Sequence, residues 1–370
     1  MIEELQVENY RSFKTYSVNG LKRVNLLTGR NNSGKTSLLE AVEFLSSKGD
    51  PGVLADIAIR RSELLSMDSG AFASRPDTLV DAAHLFFGHR LVPGSAFQIT
   101  SGDLKNSVIV RVAKQSEFEK SPILIDMEES DDASPYVIVI ERTMPNRSRS
   151  SIPMQLSANG GFRARDARSI FRSAIQQEPT FPLQLITADS LQANQMAMLW
   201  DGVLRERREG AVFESLRILD EAIEDVAFLN DERSVRSGRL GVVLGCRGQD
   251  RRMPLGSYGE GMRRLLALSM SLVSVSKGIL LVDEIDTGLH YSVLADMWKL
   301  VIGTAIKNDI QVFATTHSLD CLRGLNAACE RDPELASEIS LQTIDRNLDV
   351  SIAGDASDLK SAMNMGIEVR

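Results

Sequence analysis

The amino-acid sequence predicts an α/β protein with a mixed central sheet, an antiparallel β meander and a helical subdomain. Three observations carry this. NLLTGRNNSGKTSLLE (25–40) reads as a buried strand, a glycine-rich turn and a helix. Two more short apolar runs, in GILLVDEIDTGLH (278–290) and IQVFATTHS (310–318), end in polar residues with a helical pattern between them, as neighbouring strands of a parallel sheet would. From Ala96 the pattern changes to AFQIT, SVIVRVA, YVIVIERT and SIPMQLS, strand-like pieces broken by polar turns.

Taken in order, residues 2–14 alternate like an edge strand, with Ile2, Leu5 and Val7 set against Glu3, Glu4 and Glu8. VNLLTG is a buried strand that ends in glycine, and Leu38, Leu39, Val42 and Leu45 mark the helix that follows. Residues 46–95 hold short helical patterns between glycine and proline breaks, and the acidic run DMEESDD (126–132) lies in one gap of the meander. QLITADS (184–190) is a strand. Residues 193–229 read as helical, with Val212, Ser215, Leu216 and Leu219 on one face and Ile223 and Val226 continuing it. RSGRLGVVLGCRGQD returns to strand and turn. Residues 257–276 and 288–306 read as helices, 278–283 and 310–315 as buried strands, and ISLQTID and DVSIAG as short terminal strands. No heptad run is long enough for a coiled-coil arm. This divides the chain into an N-terminal lobe (1–190, with a β-rich insertion at about 50–180), a helical subdomain (191–276) and the C-terminal part of the core (277–370).

The 370 residues carry a formal net charge of −8, with 43% hydrophobic and 25% charged residues, enough to bury a core. The charge argues against a surface coated in nucleic acid but leaves room for a local basic groove. Cys246, Cys321 and Cys329 are odd in number and form no CxxC pair, so a disulfide framework or zinc site is not expected and a reducing, cytoplasmic compartment fits. MIEELQVENY lacks the basic start and apolar centre of a secretory signal, and no apolar run approaches the roughly 20 residues of a membrane span.

Residues 29–37 (Gly29, Arg30, Asn31, Asn32, Ser33, Gly34, Lys35, Thr36, Ser37) contain the full G-x-x-x-x-G-K-[ST] pattern. In it, backbone N–H groups close around a β-phosphate at a helix start, Lys35 adds a compact charge to the β- and γ-phosphates, and Thr36 offers a hydroxyl to Mg²⁺. ATP and Mg²⁺ are therefore the expected cofactors. Asp283, at the end of a buried strand, is placed to hold the metal, and Glu284 to orient or deprotonate an attacking water. That second carboxylate favours ATP hydrolysis over a GTPase or small-molecule kinase. His317, at the end of the next strand, is expected near the γ-phosphate.

PLGSYGEGMRRLLALS (254–269) precedes the carboxylate strand. Ser257, Gly259 and Glu260 form a small polar turn before a helix, a place where an anion can bind and where ordinary helix caps also occur. Together with VENYRSFK and VNLLTGRNNSGKTSLLEAV, this order of motifs resembles the ABC-type ATPases, in particular the RecF, chromosome-maintenance and OLD-type (overcoming lysogenization defect) branches. The tail SAMNMGIEVR resembles the short AAA-labelled, OLD-like bacterial forms. The resemblance implies a P-loop NTPase fold with ABC-ATPase head topology and ATP sandwiched between two heads. Ser257 and Gly259 would then reach the γ-phosphate held by a partner, DTGLH (286–290) would lie at the dimer seam, and Arg11 would sit near the base. The chain departs from the long forms in having no coiled-coil arm, and about fifty residues after His317 are too few for a Toprim nuclease domain. Gln184 and Gln192 are candidates for the family's Q-loop glutamine.

Two functions fit. One is an ATP-gated homodimer or higher oligomer that acts as sensor or regulatory subunit for a separately encoded effector, a nuclease or toxin, in anti-phage defence. The other is a RecF-like ATPase of DNA repair or replication that binds duplex DNA. Residues 142–172 bear on the choice, with Arg142, Arg147, Arg149, Arg163, Arg165, Arg168 and Arg172 against the single acid Asp166. Arginines suit duplex backbone contact, but a solvated loop or an acidic protein-binding face would look the same.

Overall fold

A computed structural model of the chain describes residues 1–65, 78–102, 106–118, 121, 133–143, 149–174, 182–229 and 241–364. The strands are β1 (Glu4–Tyr10), β2 (Phe13–Asn19), β3 (Val24–Thr28), β4 (Leu79–Asp81), β5 (Ala96–Ser101), β6 (Asn106–Lys114), β7 (Ala133–Thr143), β8 (Arg149–Ser157), β9 (Gly161–Arg163), β10 (Leu183–Ile186), β11 (Ile223–Leu229), β12 (Gly241–Cys246), β13 (Met253–Pro254), β14 (Ile279–Val282), β15 (Gln311–Thr315), β16 (Ile339–Thr343) and β17 (Ile352–Gly354). The helices are α1 (Lys35–Ser46), α2 (Pro51–Arg60), α3 (Ala164–Ala174), α4 (Ala193–Arg205), α5 (Glu209–Leu216), α6 (Glu260–Ser274), α7 (Leu294–Asn308), α8 (Leu319–Arg331) and α9 (Ala356–Asn364).

The central sheet runs β10-β14-β15-β3-β16-β17. Its first five strands are parallel, and β17 pairs antiparallel with β16. β3 and β15 are buried along their whole length, as strands covered on both faces must be. The consequence for function is that β10, β14, β15 and β3 all end on the same side, where open α/β sheets bind ligands. As expected from sequence, the carboxylate strand β14 and the histidine strand β15 are parallel neighbours, in register from Ile279↔Gln311 to Val282↔Ala314.

The second sheet, β2-β1-β5-β6-β7-β8, contains the antiparallel meander expected from Ala96 onward. β1 is not its edge. Both sides of β1 are paired, with β2 (Val7↔Tyr16) and with β5 (Val7↔Ile99), and β2 takes the edge. One large apolar cluster joins this sheet to α1 and α2, with Phe44, Phe97, Ile138 and Ile140 fully buried, and a second joins α4–α8 to the other face of the central sheet.

The stretch read as helical to residue 229 ends as a helix at Leu216. Ile223–Leu229 is a strand, paired antiparallel with β12, which in turn pairs with β13. The register of β11 shifts between Ile223 and Asp225. That irregularity leaves Ile223 and Val226 buried at a spacing of three, which mimics a helical period. Residues 191–276 therefore combine helices with a three-stranded sheet. The acidic stretch 126–132 and most of the tail SAMNMGIEVR (365–370) lie outside the described residues. No described helix is long and apolar enough to cross a membrane.

Candidate nucleotide site

The phosphate loop is built by close backbone packing. Gly34 has φ 102 and precedes α1, and a Cβ there would strike the Phe13 ring, so both conformation and space require glycine. A Cβ on Gly29 would collide with the Ile344 carbonyl. Ser33, Lys35 and Ser37 are buried, whereas Arg30, Asn31, Asn32 and Thr36 are exposed. Lys35 Nζ donates to the carbonyls of Gly29 (2.9 Å) and Arg30 (2.8 Å), folding the lysine across the mouth of its own loop. Burial pushes its pKa down to about 8, opposed by the charges of Asp283 and Glu284.

The carboxylates stand beside the loop. Thr36 Oγ1 donates to both Asp283 oxygens at 3.3 Å, and Thr315 Oγ1 donates to Asp283 Oδ1 at 2.6 Å. The Glu284 N–H donates to the same Thr315 hydroxyl at 2.8 Å, and Thr287 Oγ1 donates to Glu284 Oε2 at 3.2 Å. Glu284 has φ 50, a left-handed conformation that costs a non-glycine residue roughly 1–2 kcal/mol and persists only when its surroundings hold it. A hydroxyl and a carboxylate are hard oxygen donors of the kind Mg²⁺ takes together with nucleotide phosphates, so Thr36 and Asp283 fit that ion. Among the described residues, no three His, Cys, Asp or Glu side chains are grouped to hold a metal by themselves.

A cleft of about 220 Å³ opens over the loop. Its lining brings together Asn32, Ser33, Gly34, Lys35, Thr36 and Ser37 with Arg11, Ser12, Arg61, Glu63, His89 and His317. His317 thus shares a cleft with Lys35, and Arg11 is there too. Arg11 is engaged, however. It is 4% exposed, donates to Glu63 at 2.6 and 3.1 Å, and places Nε 2.8 Å from Glu40 Oε2, an ion pair not aligned as a hydrogen bond. Arg61 binds the other Glu40 oxygen at 2.6 Å. Sequence reasoning missed Arg61, Glu63 and His89 because they come from the punctuated segment 46–95, which carries no motif. It also missed Thr315, whose place at the end of a buried strand, two residues before His317, was the available signal.

The signature turn lies elsewhere. Ser257, Gly259 and Glu260 are exposed, and none of them lines the cleft. Gly261 packs on the turn after the carboxylates, where a Cβ would lie 2.7 Å from the Gly288 carbonyl oxygen. Neither glutamine candidate sits after a strand end. Gln184 lies inside β10 with its amide on the Leu185 carbonyl, and Gln192 is the N-cap of α4; the polar residues that follow β10 are Thr187, Asp189 and Ser190.

The arginines of 142–172 do not share one setting. Arg142 is buried in β7 at 7% exposure, Arg168 pairs with Asp56 at 2.6 Å, Arg163 is half-buried and Arg165 is exposed. Arg147 and the side chains of Arg149 and Arg172 lie outside the described residues.

Two protein-family profiles match the chain. One, described as "AAA ATPase domain", covers residues 1–141 with the phosphate loop. The other, described as "AAA domain, putative AbiEii toxin, Type IV TA system", covers residues 187–322 with the signature turn, the carboxylates and His317. A Helicobacter pylori protein described as "ATP/GTP phosphatase" is 22% identical over 92% of this chain and 91% of its own length. An uncharacterized Methanocaldococcus jannaschii protein is 39% identical over 13% of this chain and 22% of its own. Among solved structures, an Smc head bound to the C-winged helix domain of ScpA aligns over 98% of this chain and 99% of its own, with 14% identity and a TM-score of 0.49. The Pyrococcus furiosus Smc head with an extended coiled coil, bound to the C-terminal domain of ScpA, aligns over 98% of both chains with 12% identity and a TM-score of 0.47. The loop and the carboxylates meet across two spans, 1–141 and 187–322, that match AAA-type ATPase domain profiles, and ATP hydrolysis is the activity those matches support.

Proposed function

We propose that the chain is an ATPase head that closes with a second copy over ATP and acts as a sensor or regulatory subunit for a separately encoded effector, a nuclease or toxin, in anti-phage defence. The observation that carries the dimer is the split of the motifs. Thr36 of the phosphate loop bonds Asp283, and His317 lines the loop's cleft, while Ser257 and Gly259 are exposed and line no part of that cleft, available to a nucleotide held by another copy. The effector half of the reading is supported by the family description over residues 187–322, which names a toxin and a toxin–antitoxin system.

In the reaction, Lys35 and the loop N–H groups hold the β- and γ-phosphates. Mg²⁺ held by Thr36 and Asp283 would neutralise charge on those oxygens. Glu284 takes a proton from water as the water oxygen bonds to the γ-phosphorus. The bond from that phosphorus to the bridging oxygen breaks, and its electron pair leaves with ADP. His317 donates toward the γ-phosphate, and Ser257 of the partner copy completes the donor set.

The test is light scattering of Glu284→Gln with ATP and Mg²⁺. A doubling of mass that requires ATP is expected, and a monomer at saturating ATP would remove the dimer. A pull-down of the same variant from its own cells should bring a stoichiometric second protein. Nuclease-sensitive duplex DNA without one would favour the repair reading. The arginines that bear on that reading do not form one free basic surface, since Arg142 is buried and Arg168 is paired with Asp56.

A further inference from the structure

Arg264 is a buried cation with no role in the chemistry described so far. It lies on α6, one turn past the signature residues, and is 1% exposed although the adjacent Arg263 is exposed. Its guanidinium donates in three directions, through Nη1 to the Thr187 carbonyl (2.6 Å) and through Nη2 to the carbonyls of Asp283 and Glu284 (2.7 Å to the latter). Those carbonyls lie just past the ends of β10 and β14, where the ladder of a parallel sheet stops and backbone acceptors lose their strand partners. Burial pushes the Arg264 pKa down to about 10, against the pull of Asp283, Asp286 and Glu284. Burying a charge is costly, and the three carbonyls that Nη1 and Nη2 reach are the groups that offset it, while Nε is left without a partner.

The partner that matters is Glu284. Its backbone is left-handed and pinned from two sides, the N–H by Thr315 of β15 and the carbonyl by Arg264 of α6. The first turn of α6 is in backbone contact with the turn after Glu284, at Gly261 and Gly288. α6 therefore carries the exposed signature turn at its start and, one turn later, the donor that holds the carboxylate residue.

We propose that Arg264 is the positioning residue for Glu284, and that it makes the carboxylate of each copy respond to a nucleotide docked on the signature turn of the same copy. This rests on the assignment of Glu284 as the residue that handles water. A rotation or shift of α6 on engaging the partner's ATP moves the Glu284 carbonyl through Arg264, and with it the side chain. Lysine would keep the charge but not the planar fork that reaches two strand ends at once.

The experiment is steady-state ATP turnover of Arg264→Lys across ATP concentration, with nucleotide affinity and melting temperature measured on the same preparation. The expected result is a kcat at least tenfold below that of the unmodified chain, with ATP Kd within about twofold, a retained melting transition and reduced cooperativity in ATP. A kcat within twofold of the unmodified chain would overturn the proposal. So would a loss of ATP affinity as large as the loss of kcat, since that marks a residue that only holds the fold together. Should Arg264→Lys not fold, Thr187→Gly/Arg264→Gln, which gives the Thr187 end more freedom to adjust, is read by the same kcat and Kd criteria. Glu284→Gln is measured alongside. If it turns over as fast as the unmodified chain, the assignment of Glu284 has failed, whatever Arg264 does.

Discussion

The phosphate loop and the signature turn are both short, glycine-bearing turns that open a helix, yet the chain treats them differently. Around the loop, Ser33, Lys35 and Ser37 are buried, and Lys35 is tied to two loop carbonyls. Around the turn, Ser257, Gly259 and Glu260 face outward, although the helix behind them is among the most buried in the molecule. The proposed dimer rests on that contrast.

Three experiments break or sharpen that contrast. The largest effect is expected from Lys35→Ala, which should lower ATP affinity by at least a hundredfold in equilibrium titration; unchanged affinity would discredit the loop. Ser257→Ala should leave the ATP affinity of the isolated chain unchanged but lower turnover by about ten- to a hundredfold, the cost of one hydrogen bond to a charged group. Mixing the Lys35→Ala and Ser257→Ala chains is the sharper version. Mixed dimers contain one site with an intact loop and an intact turn, so the mixture should turn over ATP faster than either chain alone. No recovery would mean that loop and turn serve the same copy.

A smaller effect concerns pH. The free protein holds Lys35 charged only below about 8, while bound phosphate favours the ammonium. ATP affinity should therefore fall by up to about tenfold per pH unit as pH rises above 8, measured by titration between pH 7 and 9.5. The smallest effect is on stability. Burial raises the Glu43 carboxyl to about 7, despite its pairing with Arg60. The folded state thus favours the protonated form. Its stabilisation is complete below the unfolded pKa of about 4.5 and is lost as pH rises toward 7. Glu43→Gln should flatten that part of the stability profile in denaturant unfolding.

The candidate site was legible where its chemistry is local. The loop, the two carboxylates and His317 announce themselves because each terminates a continuous apolar run, and parallel strands bring such ends together. What was not legible depends on the third dimension. Arg264 stands next to Arg263 in sequence, and only the packing of α6 separates a solvated arginine from one clamped over two strand ends. β11 was read as helix because its register shift brings Ile223 and Val226 to a helical spacing. Arg61, Glu63 and His89 reach the cleft through tertiary folding alone.

The neighbours of β3 have a consequence for how the protein is made. β3 begins at Val24, yet the strands on either side of it are β15 and β16, which end at Thr315 and Thr343. On the ribosome, the glycine-rich loop after β3 emerges early and waits for strands synthesised about three hundred residues later. Such long-range parallel pairing is slow to form and exposes unpaired strand edges meanwhile. Nascent chains shorter than the end of β16 should be unable to retain ATP, and those intermediates are where this protein would most depend on chaperones.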